Sequence, residues 1–268
     1  MKDFTLEKYG LLCETISKSS YTTVTFEQYF SLSQKNLSKN CLLLRHDVDR
    51  NIGNALKMAD IEHKFNIVST YYCRKTERVF RPECFKKIAS MGHEIGYHYE
   101  TLDKAKGNEV EAIKIFEQEL KTLREYINIK TACMHGNPLT PWLNSNIWKN
   151  YNFKEFGILG EPYLSLDYKS VVYLTDTGRT WANENVNVKD FIRNENFKAN
   201  NFLSGNISTT DDVINLIKQE RLPQICLLAH PHSWHDYIIE WIRELISQKI
   251  KNIGKAGIVW YWKRRTQL

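Results

Sequence analysis

Two acidic residues, Asp47 and Asp49, follow an apolar, strand-like run in the segment LLLRHDVD. Because side chains alternate between the two faces of a strand, Arg45, Asp47 and Asp49 are expected to point the same way at its carboxyl end. Two carboxylates that converge on one spot need a cation or a shared proton between them. Arg45 alone is not expected to satisfy both, so the spacing indicates a bound metal ion.

The histidines point to the same edge of the predicted sheet. Seven of the eight histidines lie in four short segments, each at or just after the end of a predicted strand. They are His46, His93, His98, His135, His230, His232 and His235. In α/β folds the carboxyl ends of parallel strands carry the active site. This convergence favours a metal or acid/base site over isolated structural histidines.

Two of these segments indicate roles for their residues. In GHEIGYHYE, strand parity places His98 and Glu100 on one face and His93 on the other. His98, at the strand end, is therefore the expected metal ligand with Glu100 beside it, and His93 is expected to be structural. The buried strand in ICLLAHP carries His230 to the same edge, where an imidazole suits proton transfer near neutral pH.

Three motifs, RHDVD, GHEIGYH and LLAHP, occur in the order and at roughly the separations seen in the polysaccharide deacetylase (NodB-homology) family. The chain resembles the divergent branch of that family found among bacterial surface-polysaccharide biosynthesis proteins, over about residues 40–235. The resemblance implies an α/β fold, a distorted (β/α) barrel of about seven mainly parallel strands. It also implies a divalent metal ion, with Zn²⁺ expected, and removal of an N- or O-acetyl group from a sugar or sugar-lipid intermediate.

By the same resemblance, Asp47 matches the catalytic base, Asp49 and His98 match metal ligands, and His230 matches the general acid. The chain departs from the family's pattern at Leu102, where a second metal-binding histidine is usual. Glu100 is the first candidate to replace that histidine, by strand parity. His135 and Asp103 are the next candidates for this ligand. A site with two protein ligands completed by water, or no metal at all, stays open.

Two loops after predicted strands are expected to line the cleft. MHGNP brings His135 to the substrate but lacks the arginine with which the family orients its base, so Arg45 or Arg179 is expected to take that role. DTGRTW offers Arg179 for a hydrogen-bonding or anionic group of the substrate and Trp181 for stacking on a sugar face. A turn with a packed tryptophan is the alternative reading of this second loop.

Apolar runs alternate with amphipathic segments along the chain. Predicted strands cover 41–47, 67–73, 94–98, 131–135, 157–161, 171–176 and 224–230. Predicted helices cover 6–18, 53–64, 81–91, 107–127, 143–150, 211–220 and 235–252. This alternation predicts a mainly parallel sheet with crossover helices, and the irregular stretch 162–210 predicts long loops that shape the site.

The 268 residues, 42% hydrophobic and 25% charged, predict one globular domain. Residues 1–39 are expected to form an N-terminal helical preamble and residues 40–268 the barrel. The net charge of +6 is scattered and no nucleic-acid-binding motif is found, so no nucleic-acid partner is expected. The basic cluster at 263–265 is read as a solvated tail, with peripheral contact to anionic lipid or glycan left open.

The six cysteines are scattered and form no C-x-x-C pair, which is typical of small buried residues in a reducing compartment. With neither an apolar leader nor a membrane span, the chain is expected to be cytoplasmic and to act on an acetylated sugar or glycan precursor. Two other functions stay open. One is a metal-assisted hydrolase of another small amide, such as a formyl group. The other is a glycan-binding protein without a metal, which Leu102 favours.

Overall fold

The computed structural model describes residues 2–32, 40–181 and 207–265. The strands are β1 Thr22–Val24, β2 Cys41–Val48, β3 Thr70–Cys73, β4 Glu94–Tyr99, β5 Ala132–Met134, β6 Val172–Thr175 and β7 Gln224–Ala229. The α-helices are α1 Leu6–Lys18, α2 Phe26–Ser31, α3 Ile52–Lys64, α4 Pro82–Ser90, α5 Thr101–Lys104, α6 Glu109–Arg124, α7 Pro162–Ser165, α8 Thr210–Gln219 and α9 Ile238–Arg265. Short 3₁₀ helices span Asn144–Lys149, Phe153–Phe156 and Pro231–Ser233.

The seven strands form one curled sheet in which every pairing is parallel, in the order β5-β4-β3-β2-β7-β6. Strand β2 is central: along one side it pairs first with β1 and then with β3, and along the other with β7. Helices cover the outer face. The predicted α/β class and distorted, mainly parallel barrel are confirmed. The sheet is open, with β5 and β6 at its two ends.

The inner face of the sheet encloses one apolar cluster, whose buried members include Phe26, Leu43, Tyr72, Cys133 and Cys226. Gly96 makes this packing possible, because a Cβ atom there would overlap the Tyr72 ring. Strand alternation then places polar residues at the carboxyl end of the same face. The interior is therefore filled with side chains below the candidate site and opens only at that end.

Two further apolar clusters lie between the sheet and the helices. The first contains Tyr9, Leu12 and Ile16 of α1 together with Val213 and Ile217 of α8. The residues expected to be a preamble thus contribute both this packed helix and β1, which pairs with β2. Thr5 caps α1 by accepting from the backbone N–H of Lys8.

Most predicted elements are confirmed with differences of a few residues at their ends, but the helix predicted at 235–252 extends to Arg265 as α9 and the one predicted at 143–150 is a 3₁₀ helix, Asn144–Lys149. The strand predicted at 157–161 is wrong. That stretch makes a single bridge, between Gly160 and Thr131. Gly157 has a φ of 68°, in the left-handed region, and Pro162 begins α7. Both features break an extended strand.

The irregular stretch predicted at 162–210 contains α7, β6 and the start of α8 among its described residues, while 182–206 lies outside the described part. Strand β1 was not predicted. Among the described helices, none combines the length and apolar character that crossing a bilayer requires.

Candidate active site at the carboxyl end of the sheet

Asp47 is held at the end of β2 by a bidentate ion pair with Arg45. Its Oδ1 accepts from Nε of Arg45 at 2.8 Å and its Oδ2 from Nη2 at 2.6 Å. Both side chains are buried, and the Arg45 guanidinium also packs against the rings of Tyr72 and Tyr163. Burial would raise the pKa of Asp47, but the charge and hydrogen bonds of Arg45, together with the charges of His98 and His230, outweigh it and the pKa is lowered. Asp47 is thus an oriented carboxylate at neutral pH.

His98, at the end of β4, faces both acidic residues. Its Nδ1 lies 3.0 Å from the backbone carbonyl oxygen of Cys133, which can only accept a hydrogen bond. The Nδ1 atom therefore carries the proton, and in the neutral ring Nε2 offers a lone pair. That Nε2 lies 3.4 Å from Oδ1 of Asp49 and 3.6 Å from Oδ2 of Asp47.

His135, just after β5, completes this side of the cleft. Its Nε2 lies 3.6 Å from Oδ1 of Asp49, and its Nδ1 lies 3.4 Å from Oε2 of Glu100. Within the described part of the chain, Oδ1 of Asp49 is buried without a hydrogen-bond partner. Such an orphaned carboxylate oxygen next to two imidazoles is a suitable place for a cation.

The carboxylate of Glu100 lies behind His135 and forms an ion pair with Arg74. The alternation of side chains along β4 does not extend to Glu100, because β4 ends at Tyr99 and Glu100 is the N-cap residue of α5. Asp103, another candidate ligand, and Leu102, at the position where the family has a histidine, also turn away. Asp103 accepts from the Trp142 indole at 2.7 Å, and Leu102 is buried in an apolar cluster outside the sheet.

Asp47, His98 and Cys133 form a buried cluster whose candidate ligand atoms all lie within 4.8 Å of one another. A cluster of this composition could hold a metal ion. Carboxylate, imidazole and thiolate are all ligands of divalent transition metals, so the donor set alone does not select one ion.

His230 lies across the cleft, just after β7, where Asp176 fixes it. Its Nδ1 is 2.6 Å from Oδ1 of Asp176, and its backbone N–H donates to both oxygens of that carboxylate at 3.0 Å. The Trp234 indole donates to Oδ2 at 2.9 Å. Burial would lower the pKa of His230, but the charge and hydrogen bond of Asp176, together with the charges of Asp49 and Asp47, outweigh it and raise the pKa to about 10. His230 is therefore an imidazolium at neutral pH, with Nδ1 engaged.

Sequence reasoning did not assign a role to Asp176. It stands at the end of a predicted strand, the same topological position as Asp47. That position is the signal in the sequence that points to Asp176.

Arg179 and Trp181, the expected substrate contacts of that loop, point elsewhere. Arg179 donates to the backbone oxygen of Ser233 at 3.1 Å, and its guanidinium lies 5.1 Å from the ring centroids of Phe4 and Trp241. Trp181 is 1% exposed in the core, which leaves no ring face for a sugar. The packed-tryptophan alternative describes this residue, and Arg45 rather than Arg179 contacts Asp47.

The histidines divide between the two faces of the sheet. His98, His135, His230 and His232 line the cleft together with Asp47, Asp49 and Asp176. His46 and His93 instead lie on the outer face around Glu62, whose carboxylate is 2.6 Å from Nε2 of His46. Tyr9, Ser69 and Tyr71 also donate to Glu62. This buried network anchors α3 and α1 to the sheet behind the site.

The chain was compared with protein-family models, with curated proteins and with solved structures. No family model matches it, and the other two comparisons find no match either. The assignment of a function therefore rests on the residues and geometry of the cleft.

Proposed function

We propose that this protein is a metal-dependent hydrolase that removes an N- or O-acetyl group from a sugar or sugar-lipid intermediate, as its resemblance to polysaccharide deacetylases implies. One observation carries the proposal. An oriented carboxylate, Asp47, and a charged imidazolium, His230, line one cleft with a group of potential metal ligands beside them. Hydrolysis of an amide or ester needs this combination of base, acid and electrophilic stabilisation.

Asp49, His98 and His135 are the ligands we favour for the metal. Ligand atoms about 2.0–2.1 Å from a tetrahedral Zn²⁺ lie roughly 3.3 Å apart. The distances from Oδ1 of Asp49 to the two imidazoles, 3.4 and 3.6 Å, are close to that separation. Among the described residues only Asp47, His98 and Cys133 have candidate ligand atoms that all lie within 4.8 Å of one another, so His98 and His135 would have to move towards each other to share an ion. Burial lowers the pKa of His135, which leaves its ring neutral and able to bind a metal. Glu100, behind its Nδ1, would orient the ring as a carboxylate commonly does in zinc sites.

The alternative set, Asp47 with His98 and Cys133, is less suitable for a divalent ion. Both oxygens of Asp47 already accept from the buried Arg45, whose charge would repel a second cation. Cys133 does not line the cleft, whereas Asp49, His98 and His135 do. We therefore assign the metal to the outer set and propose zinc as the ion.

A bound divalent metal supplies Lewis-acid polarisation of the acyl carbonyl and lowers the pKa of water from 15.7 to about 7. Asp47 takes the proton as water attacks, while Arg45 keeps its carboxylate in place. His230 then gives the Nε2 proton to the leaving amine or alkoxide, because its Nδ1 stays bonded to Asp176. Asp176 serves to keep His230 charged and oriented.

We further propose that the reaction takes place inside the cell, on a precursor rather than a finished polymer. The six cysteines, all in the described part of the chain, form no disulfide and five of them are buried, as expected for a protein kept in reducing conditions. Selective labelling of these thiols before and after cell lysis would report whether they are reduced in the living cell.

The test is acetate release from a panel of N- and O-acetylated sugars by zinc-loaded protein, with formate release from the N-formyl analogues measured in parallel. Asp47→Asn is expected to lower the rate by about 10²–10⁴-fold through loss of the base. Asp60→Asn, on α3 away from the cleft, is the matched control. An Asp47→Asn variant as fast as wild type would refute the mechanism. Formate release without acetate release would show that the group removed is formyl rather than acetyl.

A further inference from the structure

A second cavity, of about 450 Å³, adjoins the catalytic cleft and shares four lining residues with it. The shared residues are Asp49, His135, His232 and Gln248. A substrate that places its acyl group in the cleft would therefore extend into this cavity.

Four basic side chains line the cavity, and two of them pair with carboxylates that lie outside the lining. Arg50, Arg74, Arg78 and Lys251 line it, and Asp49 is the one acidic residue among the described lining. The carboxylates that pair with Arg50 and Arg74, namely Glu244 and Glu100, are not part of the lining. Arg78 is exposed and, within the described residues, forms no ion pair or hydrogen bond. Such a concentration of positive charge attracts an anion.

We propose that this cavity binds a phosphate group carried by the acylated sugar substrate, an inference that rests on the proposed function. Guanidinium groups match phosphate oxygens in a fork geometry, and three arginines around one cavity favour a multiply charged anion. The volume accommodates more than a lone phosphate ion, which fits a phosphate attached to a sugar. The acyl group then reaches the cleft across the residues that the two cavities share.

Isothermal titration calorimetry at low ionic strength tests this proposal without turnover. The probes are N-acetylglucosamine 1-phosphate, UDP-N-acetylglucosamine, glucuronate and uncharged N-acetylglucosamine. Both phosphate-bearing probes are expected to bind more tightly than the other two, and their ratio distinguishes a sugar monophosphate from a nucleotide diphosphate. Arg78→Gln should weaken phosphate binding about tenfold. Arg221→Gln, an equal change of charge at the far end of the barrel, should leave binding nearly unchanged.

Equal affinity for the charged and uncharged sugars, or an equal effect of the two arginine variants, would overturn the proposal. Tighter binding of glucuronate than of the phosphate-bearing probes would overturn the proposal and identify a sugar carboxylate as the ligand of the cavity. Phosphate-specific binding without acetate release from any probe would refute the proposed hydrolysis while supporting the cavity. Acetate release from uncharged sugars alone would support the proposed hydrolysis and refute phosphate binding in the cavity.

A separate observation concerns the outer side of α9. Six isoleucines there are 44–75% exposed: Ile238, Ile239, Ile242, Ile246, Ile250 and Ile253. At 3.6 residues per turn they fall within an arc of about 120°. The opposite side faces the body of the protein, where Trp241 donates to the Asp3 backbone at 2.7 Å and Asn252 to the Gly178 backbone at 2.9 Å.

The charge of this helix limits what could cover the stripe of isoleucines. Residues 238–265 include seven lysines and arginines and two acidic residues. A second copy of so basic a helix would be repelled, whereas an anionic surface would be attracted. A helix with an apolar stripe and a basic surplus is typical of those that lie in a membrane interface.

We infer that the isoleucine stripe of α9 docks on the surface of an anionic lipid bilayer. Gln248 and Lys251 of the same helix line the cationic cavity, so docking would hold that cavity beside the membrane. This inference stands on the exposed stripe and the helix charge, whatever reaction the cleft performs.

Co-sedimentation with vesicles of phosphatidylcholine, with and without phosphatidylglycerol, tests it. Wild type is expected to bind the anionic vesicles, and Ile246→Ser/Ile250→Ser should weaken binding at least tenfold through loss of two buried apolar side chains. Leu139→Ser, which changes a leucine elsewhere that is 82% exposed, is the control. Failure of wild type to bind would overturn the inference, as would vesicle-free dimerisation that the isoleucine variant abolishes.

Discussion

Replacing Asp176 with asparagine removes the charge that keeps His230 protonated. The carboxylate lies 2.6 Å from Nδ1 of His230, whose pKa is raised to about 10 from an ordinary value of about 6.5. At 1.36 kcal/mol per pKa unit, this difference corresponds to about 5 kcal/mol. Loss of one opposite charge at this distance should lower the pKa of His230 by about 1–3 units.

The sign of the stability effect follows from the raised pKa. Charged His230 stabilises the folded protein fully below pH 6.5, and this stabilisation is lost as the pH rises towards 10, at about 1.4 kcal/mol per pH unit. The difference in free energy of unfolding between wild type and Asp176→Asn should therefore be largest at pH 6 and small at pH 10. Urea unfolding across that range measures it.

The direct assay is a histidine-ring NMR titration between pH 5 and 11, with the His230 resonance assigned by its absence from His230→Gln. Asp236→Asn, which removes a surface ion pair with Lys57, is the control and should leave the pKa of His230 in place. A wild-type pKa near 6.5, or a pKa that Asp176→Asn does not lower, would refute the reasoning.

Three further predictions concern stability, each measured by urea unfolding. Arg45→Met leaves Asp47 charged and buried and should lower the free energy of unfolding by about 3–5 kcal/mol, and Arg45→Met/Asp47→Asn should restore much of that loss. A double variant as unstable as Arg45→Met would contradict this. Glu62→Gln should lower the free energy of unfolding by several kcal/mol at pH 7 but by less towards pH 2. The reason is that the pKa of Glu62 is lowered to about 2, so the stabilisation by its charged form is lost as the pH falls through that value. A loss of stability that does not change with pH would contradict this. Gly96→Ala should cost about 1–3 kcal/mol by overpacking against Tyr72, and Tyr72→Phe should not relieve it because the overlap involves ring carbons.

The sheet was predictable because its strands are short apolar runs separated by clear helical periods. The two failures have local causes. β1 has three residues, too few for an alternating pattern to stand out. The run at 157–161 reads as a strand by composition, but Gly157 turns the backbone into the left-handed region and leaves one bridge at Gly160.

Strand parity located Asp47 and His98, since both lie within regular strands. It could not locate residues beyond the strand ends, where the backbone changes direction. Glu100 begins α5 and turns behind His135, and Asp176 reaches His230 from a strand that is distant in sequence. Trp181 looked like a surface stacking residue only because sequence does not show that its loop folds back onto α8.

The central claim is that Asp49, His98 and His135 hold a divalent metal beside Asp47. Inductively coupled plasma mass spectrometry after zinc loading and dialysis tests it most directly, on wild type, His98→Ala, His135→Ala and Cys133→Ala. About one zinc per chain is predicted in wild type and in Cys133→Ala, with metal lost from both histidine variants. Zinc retained in His135→Ala but lost from Cys133→Ala would move the metal to the inner cluster, and wild type without zinc would contradict the claim.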